Sequence, residues 1–147
     1  LYSGKEAVMM SLYDFGVGRL MSACRTALDG ETELELWERL ELCIRAPLRN
    51  ARELGRLVYV LGGDAQHQDS RLYPRRIEAH AELTHLICEN SPEADTWLVH
   101  GVLLALEGVT RLMLEEGEQG WSVRKEGYER AQRVMSHIAR SALMSAT

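Results

Sequence analysis

One stretch, residues 91–116, constrains the fold of this chain most strongly because it is hydrophobic on two sides of a helix. Helical spacing of three and four residues gives a first stripe made of Leu98, Val102, Ala105, Val109 and Leu112. The same spacing gives a second stripe made of Val99, Leu103, Leu106, Thr110 and Met113. A helix that is apolar on two sides needs two surfaces to pack on. We expect one stripe to face its own core and the other to face a second copy of the chain or a ligand cavity.

Five other segments have helical periodicity, which predicts an all-α domain of six helices. They cover residues 3–28, a segment from about Thr32 to the proline at Pro47, and then residues 48–61, 72–89 and 121–143. Ser91 and Pro92 predict the start of the central helix, because serine suits a cap and proline suits the first turn. Alternation at period two is missing, so no strand is predicted. The 147 residues suffice for one domain with its own core.

Charge and composition limit the classes of function. The chain has 17 basic and 22 acidic residues, a net charge of −5, which argues against its gripping a phosphate backbone by itself. The three cysteines are far apart and odd in number, so we expect reduced thiols and a cytoplasmic protein. No apolar run is expected to reach the ~18 residues of a membrane span, and no signal pattern opens the chain.

A few side chains could carry chemistry. Glu82 and His85 have the E-x-x-H spacing of di-iron bundles, but a second copy is missing, so we predict no metal and no cofactor. His80 and His100 lie among apolar residues on different helices. Each is either hydrogen-bonded in the core or one of the few polar groups that orient a ligand in an apolar cavity. Without a nucleophile elbow or an oxyanion-type glycine turn, the chain is not predicted to be an enzyme.

The first eight residues, Leu1-Tyr2-Ser3-Gly4-Lys5-Glu6-Ala7-Val8, resemble a known junction. In TetR-type transcriptional regulators this pattern joins the DNA-reading helix-turn-helix to the fourth helix, although that family more often has Phe, Ser and Leu where this chain has Tyr2, Gly4 and Val8. The six helices that follow, with two long apolar ones at the end, are similar to the regulatory domain of that family. The resemblance implies that residues 1–147 form a ligand-binding and dimerisation domain, with a DNA-binding domain upstream of Leu1.

The resemblance also implies where two sites would lie. The last two helices would form a four-helix bundle with those of a second copy, through Leu98, Val102, Ala105, Val109, Leu112, Tyr128, Ala131, Met135, Ile138 and Ala142. A ligand cavity would lie among the first five helices, with candidate lining residues Phe15, Met21, Trp37, Tyr59, His80, Thr84, Trp97, His100 and Leu104. A small, largely apolar effector bound there would displace the first helix, with the glycine pair Gly16 and Gly18 as its compliant point.

The implied function is therefore that of an effector-sensing homodimer, usually a repressor, that binds operator DNA through the upstream domain. One rival is an all-helical adaptor that binds a protein partner. Arg45, Arg49, Arg52 and Arg56 share one helix face and form either a solvated stripe or a basic patch for DNA or an acidic partner. The other rival is a helical enzyme or metal-carboxylate protein, which metal analysis would reveal.

Overall fold

The computed structural model describes residues 4–117 and 122–144, and in them every regular element is a helix. The helices are α1 (Gly4–Leu28), α2 (Leu36–Glu53), α3 (Gly55–Ala65), α4 (Tyr73–Cys88), α5 (Thr96–Glu115) and α6 (Lys125–Met144). The prediction of an all-α chain with six helices is confirmed. Ser3 and Trp121, predicted at the starts of the first and last helices, lie outside the described residues.

The main core lies between α1, α2, α5 and α6, with α4 closing one side. Its fully buried side chains include Leu40 and Leu48 of α2, Val99 and Leu114 of α5, and Met135 of α6. All five residues of the predicted second stripe of α5 are buried. Burial of this much apolar surface, at about 25 cal/mol per Å², is the dominant favourable contribution to folding.

Several helix boundaries differ from the predictions. The central helix begins at Thr96, because the Asp95 side chain accepts hydrogen bonds from the backbone N–H groups of Trp97 (3.0 Å) and Leu98 (3.4 Å). Aspartate is as good a cap as serine, and Ser91 belongs to the preceding turn. The prediction that Gly62 and the next glycine end a helix is also wrong, since α3 continues to Ala65.

Left-handed backbone marks two of the predicted helix ends. Gly30 has φ 75° just beyond the end of α1, and Asn90 has φ 68° just beyond the end of α4. Glycine and asparagine are the residues that accept this conformation most readily. The glycine pair within α1 has neither a left-handed backbone nor a close neighbour, because a Cβ at Gly16 or Gly18 would meet nothing within 4 Å. Close packing therefore does not explain these two glycines.

Pro47 lies inside α2 and does not separate two helices as predicted. A proline in a helix leaves the carbonyl four residues earlier without its backbone donor, and here that carbonyl belongs to Cys43. The Cys24 thiol of α1 donates to the Cys43 carbonyl oxygen at 3.6 Å. Both cysteines are fully buried, so the thiol is a weak local substitute for the missing N–H donor.

We expect the substitution Pro47→Ala to stabilise the chain by about 1–2 kcal/mol. Alanine restores the backbone hydrogen bond to Cys43 and removes the ring clash, while the more flexible unfolded state offsets part of the gain. Urea unfolding followed by circular dichroism measures the difference. Pro47→Gly is the control and should gain less, because glycine also restores the N–H group but is a poorer helix former. A lower stability of Pro47→Ala than of the wild type would contradict this explanation.

Candidate functional site: a cavity with a charged wall

A cavity of about 170 Å³ lies among α1 to α5, and α6 does not line it. Most of the wall is apolar, contributed by Val17, Leu20, Met21, Pro47, Val58, Leu83, Leu103, Leu106 and Leu114. The polar part of the wall is made by Tyr13, Asn50, Gln66, His80, Glu107, Thr110 and Arg111. An apolar cavity with a few convergent polar groups is the usual form of a small-molecule site.

The polar wall is organised around the carboxylate of Glu107. Arg76 of α4 donates to both of its oxygens, from Nε at 2.9 Å and from Nη2 at 2.8 Å. His80 Nε2 lies 3.1 Å from the same carboxylate, and His100 Nε2 lies 3.3 Å from His80 Nδ1. The whole chain of bonds is satisfied when each histidine carries its proton on Nε2. α4 and α5 are thereby joined by a chain of four polar side chains.

Burial and hydrogen bonding act in opposite directions on Glu107. Burial raises the pKa of this carboxyl, but hydrogen bonds from His80 and Arg76 outweigh burial and bring the pKa to about 2. Nearby, burial and then the Glu107 charge raise the pKa of the Tyr13 phenol to about 12. At neutral pH the cavity wall therefore contains an ionised carboxylate and a neutral phenol that can donate a hydrogen bond.

Arg111, one helical turn beyond Glu107, is held by α3. Its Nη1 donates to the Tyr59 carbonyl oxygen at 3.2 Å, and its guanidinium carbon lies 4.2 Å from the centre of the Tyr59 ring. A Cβ at Gly63 would come within 3.1 Å of Nη1, so glycine at this position makes room for the guanidinium. No carboxylate of the described residues lies within 4.0 Å of Arg111, although Glu115 bonds the Tyr59 hydroxyl nearby.

Asn50 is a lining residue of the cavity whose side chain has an unsatisfied acceptor. Its Oδ1 atom is buried and has no hydrogen-bond partner among the described residues. A buried acceptor without a partner costs about 1–3 kcal/mol. Thr84 has a similar orphan hydroxyl but does not line the cavity.

We expect Asn50→Leu to raise the free energy of unfolding of the ligand-free chain by about 1 kcal/mol, because it replaces an unsatisfied amide by an apolar side chain of similar size. Thermal unfolding by calorimetry measures this change. Thr84→Val, which removes the other orphan oxygen, is the matched comparison and should have a similar sign. A lower stability of Asn50→Leu than of the wild type would contradict this explanation of the orphan oxygen.

The structure distributes the predicted cavity residues over three environments. Met21 and His80 line the cavity, and His100 reaches it through His80. Thr84 is buried, Tyr59 packs against Arg111, and Trp37 lies under the Arg140 guanidinium at 5.1 Å. Three residues were assigned to the wrong face, because the outer sides of α1 and α5 are as apolar as their inner sides. These are Phe15, Trp97 and Leu104, which are 60%, 88% and 45% exposed.

The predicted interface residues differ in burial, and some of them lie inside the chain. Val102, Ala131 and Met135 are buried within the chain, so assigning them to a surface was wrong; α6 turns that side towards α2 and α5. Leu112 is 59% exposed, while six residues are half-buried: Leu98, Ala105, Val109, Tyr128, Ile138 and Ala142. The exposed apolar face of α5 is rotated by about 80°, between a fifth and a quarter of a turn, from the predicted face. We call it the outer stripe, and it consists of Trp97, Gly101, Leu104, Gly108 and Leu112.

Most residues of the polar wall were not predicted from the sequence. Tyr13, Asn50, Glu107 and Arg111 were not predicted to lie at a site. The available signal was the spacing of His100, Glu107 and Arg111, which are separated by seven and four residues and therefore share one side of α5. Polar residues aligned on an otherwise apolar helix indicate that this side of the helix faces a polar site, in addition to the two apolar sides that pack on other surfaces.

A metal site and a membrane span are two further possibilities for the described residues. No group of three or more His, Cys, Asp or Glu side chains there could hold a metal ion, and Glu82 of the E-x-x-H pair bonds Arg25. One helix, α5, is by length and composition apolar enough to cross a membrane, contrary to our expectation that no such run exists. In this structure α5 packs on α4 and α6, and a core helix of a soluble protein meets the same criteria.

Comparisons of the chain with protein-family models, with curated proteins and with solved structures give no match. The functional assignment therefore depends on the residues and geometry of this chain.

Proposed function

We propose that this chain is the effector-binding and dimerisation domain of a TetR-like transcriptional regulator, and that the regulator is a repressor. The observation that carries the proposal is that two different sides of α5 face a cavity and the solvent. One side of this helix supplies the cavity wall with Glu107 and Arg111, and another side leaves an apolar stripe in solvent. A domain that binds a ligand inside and a second copy outside requires this combination.

The outer stripe is suited to a symmetric contact with a second copy. Its two glycines, Gly101 and Gly108, are exposed, and a Cβ at either would meet nothing within 4 Å. They leave a shallow path along which another helix could approach closely, with Leu104 and Leu112 packing on both sides of it. Val134 of α6, 38% exposed, extends the apolar surface. Exposed apolar surface of this kind is typical of a protein interface.

Ligand binding would be linked to DNA binding through α1. Tyr13 and Met21 of α1 line the cavity, while the beginning of the same helix, from Gly4 to Val8, carries the TetR-like pattern. An effector that favours one position of α1 would shift the spacing of two DNA-binding domains, whose half-sites lie about 34–36 Å apart or at multiples of that distance. A coupling free energy of about 1–3 kcal/mol would weaken operator binding about 5- to 150-fold.

The test uses the full-length gene product, in which the proposal places a DNA-binding domain before this one. Genomic fragments that it retains would be sequenced, and its affinity for the enriched site would be measured by fluorescence anisotropy. We expect a palindromic site and an affinity that falls when a cavity ligand is added. Retention of no specific fragment, or an affinity unchanged by every compound shown to occupy the cavity, would contradict the proposal.

A second candidate is an adaptor for an acidic protein, favoured by a basic groove between α2 and α6. Arg45, Arg49 and Arg133 line this groove with Arg140, and the first three have no ion-pair partner among the described residues. An adaptor of this kind needs neither a dimer nor DNA. It would be monomeric, and its partner binding would weaken with salt.

A further inference from the structure

Arg111 lines the cavity, and no carboxylate of the described residues lies within 4.0 Å of its guanidinium. It uses one of its five N–H groups on the Tyr59 carbonyl, and the residue is half-buried. The guanidinium packs against α3, where the Tyr59 ring contacts it and the missing Cβ of Gly63 leaves room for it. A partly buried cation is normally paired, so a fixed and unpaired one indicates an anion that is supplied from outside the chain.

The formal charges of the wall lead to the same conclusion. Glu107 and Glu115 each lie four residues from Arg111 along α5, and neither pairs with it. Both Glu107 oxygens are occupied by Arg76, His80 bonds one of them, and Glu115 accepts from the Tyr59 hydroxyl. Arg76, which does not line the cavity, balances the charge of Glu107, so Arg111 leaves the wall with a net charge of +1. A single negative charge on the ligand would neutralise the wall.

Size and polarity restrict the rest of the ligand. The cavity of about 170 Å³ is close to the engineered cavity of about 150 Å³ that accommodates benzene. Aliphatic side chains such as Val17, Leu103 and Leu106 make up most of its wall.

We infer that this cavity binds a compact amphipathic monoanion, a carboxylic acid with a single ring or a short branched chain, whose carboxylate pairs with Arg111. The inference rests on the proposed function only in taking this cavity as the effector site. It names the chemical class of the effector, and the Arg111–carboxylate pair supplies the specificity. Neutral molecules of the same shape would lose the charge-assisted hydrogen bonds to the guanidinium.

The experiment compares benzoate with its neutral isostere benzamide, using chemical-shift titrations of the isotope-labelled chain. For the wild type we expect benzoate to bind in the millimolar range or tighter, and at least about tenfold more tightly than benzamide. The shifts should map to residues of the cavity wall. In Arg111→Met the two affinities should come within about twofold, whereas Arg111→Lys should keep part of the preference because it keeps the charge.

Arg133→Met is the matched control, since Arg133 is exposed on α6 and does not line the cavity. It should leave the benzoate affinity unchanged. Equal binding of benzoate and benzamide by the wild type, no benzoate binding, or shifts away from the cavity would overturn the inference without requiring any variant to fold. None of these results would decide whether the full-length protein dimerises or binds an operator, so failure here and failure of the proposed function are distinguishable.

Discussion

Replacing Leu112 by glutamate should break the dimer that we propose. Leu112 is 59% exposed on the outer stripe, and a two-fold axis would place two glutamates in the same apolar contact. Each desolvated and unpaired charge costs about 2–5 kcal/mol, so the dimerisation constant should fall by at least about a thousandfold. Sedimentation velocity over a range of protein concentrations measures this change.

Val60→Glu is the matched control for Leu112→Glu. Val60 is also an exposed apolar residue, 50% accessible, but it lies on α3 and outside the proposed interface. It should leave the association state unchanged. Because both side chains face solvent in the single chain, neither variant should lose more than about 0.5 kcal/mol of folding stability. Equal association of Leu112→Glu and the wild type would exclude the outer stripe as the interface.

The second large effect is expected at Glu107. Its side chain is 26% exposed and that of Arg76 is 15% exposed, so the pair is largely shielded from water. Glu107→Gln leaves the Arg76 guanidinium without its counter-charge and weakens the bond from His80. Removing one partner from a buried pair costs about 3–5 kcal/mol, and the residual exposure lowers our expectation to about 2–3 kcal/mol. Urea unfolding at neutral pH measures this loss.

The same carboxylate predicts how stability depends on pH. Because the pKa of Glu107 is lower in the folded chain, about 2, than its ordinary value of 4.5, the stabilisation is complete above about pH 4.5. It is lost as the pH falls towards 2, and the wild type should lose about 2–3 kcal/mol over this interval through this group. In Glu107→Gln this component of the acid dependence should be absent.

Glu53→Gln is the control, because Glu53 pairs with Arg19 at 2.8 Å but both side chains are more than 40% exposed. Water screens such a pair, so the change in stability should be below about 1 kcal/mol. If Glu107→Gln were no more destabilising than Glu53→Gln, the polar wall would not hold α4 and α5 together.

The sequence predicted the helical class and the core side of α5 because apolar periodicity reports burial directly. The prediction of which apolar residues of that helix face outward was wrong for Val102 and Trp97. Val102 and Trp97 are both apolar, and periodicity alone does not say which apolar residue remains in solvent once α6 has packed. The buried state of Val102 and the exposed state of Trp97 depend on contacts with α2 and α6, which are distant in sequence.

Helix ends were harder because neighbouring residues offered competing signals. Ser91 and Asp95 can both cap a helix, and only the structure selects Asp95. Pro47 is usually a helix boundary, but here the Cys24 thiol supplies part of the lost hydrogen bonding and α2 continues. The compensating group lies on another helix, and local sequence patterns do not contain that information.

The candidate site was the least predictable part. His80 was identified because a histidine among apolar residues is conspicuous, whereas Glu107 and Arg111 resemble ordinary i,i+4 charges on a helix surface. They are not paired with each other, since Glu107 bonds Arg76 and Arg111 bonds the Tyr59 carbonyl. That choice of partners depends on α3 and α4, and it creates the unpaired cation on which the ligand class depends.

The central claim is that the outer stripe of α5 is covered by a second copy of the chain. Sedimentation equilibrium of the purified wild-type chain at micromolar concentrations tests this claim most directly. We predict a mass of twice 16.6 kDa. A mass of 16.6 kDa that persists as the concentration rises to about 1 mM would contradict the dimeric regulator and favour the monomeric adaptor.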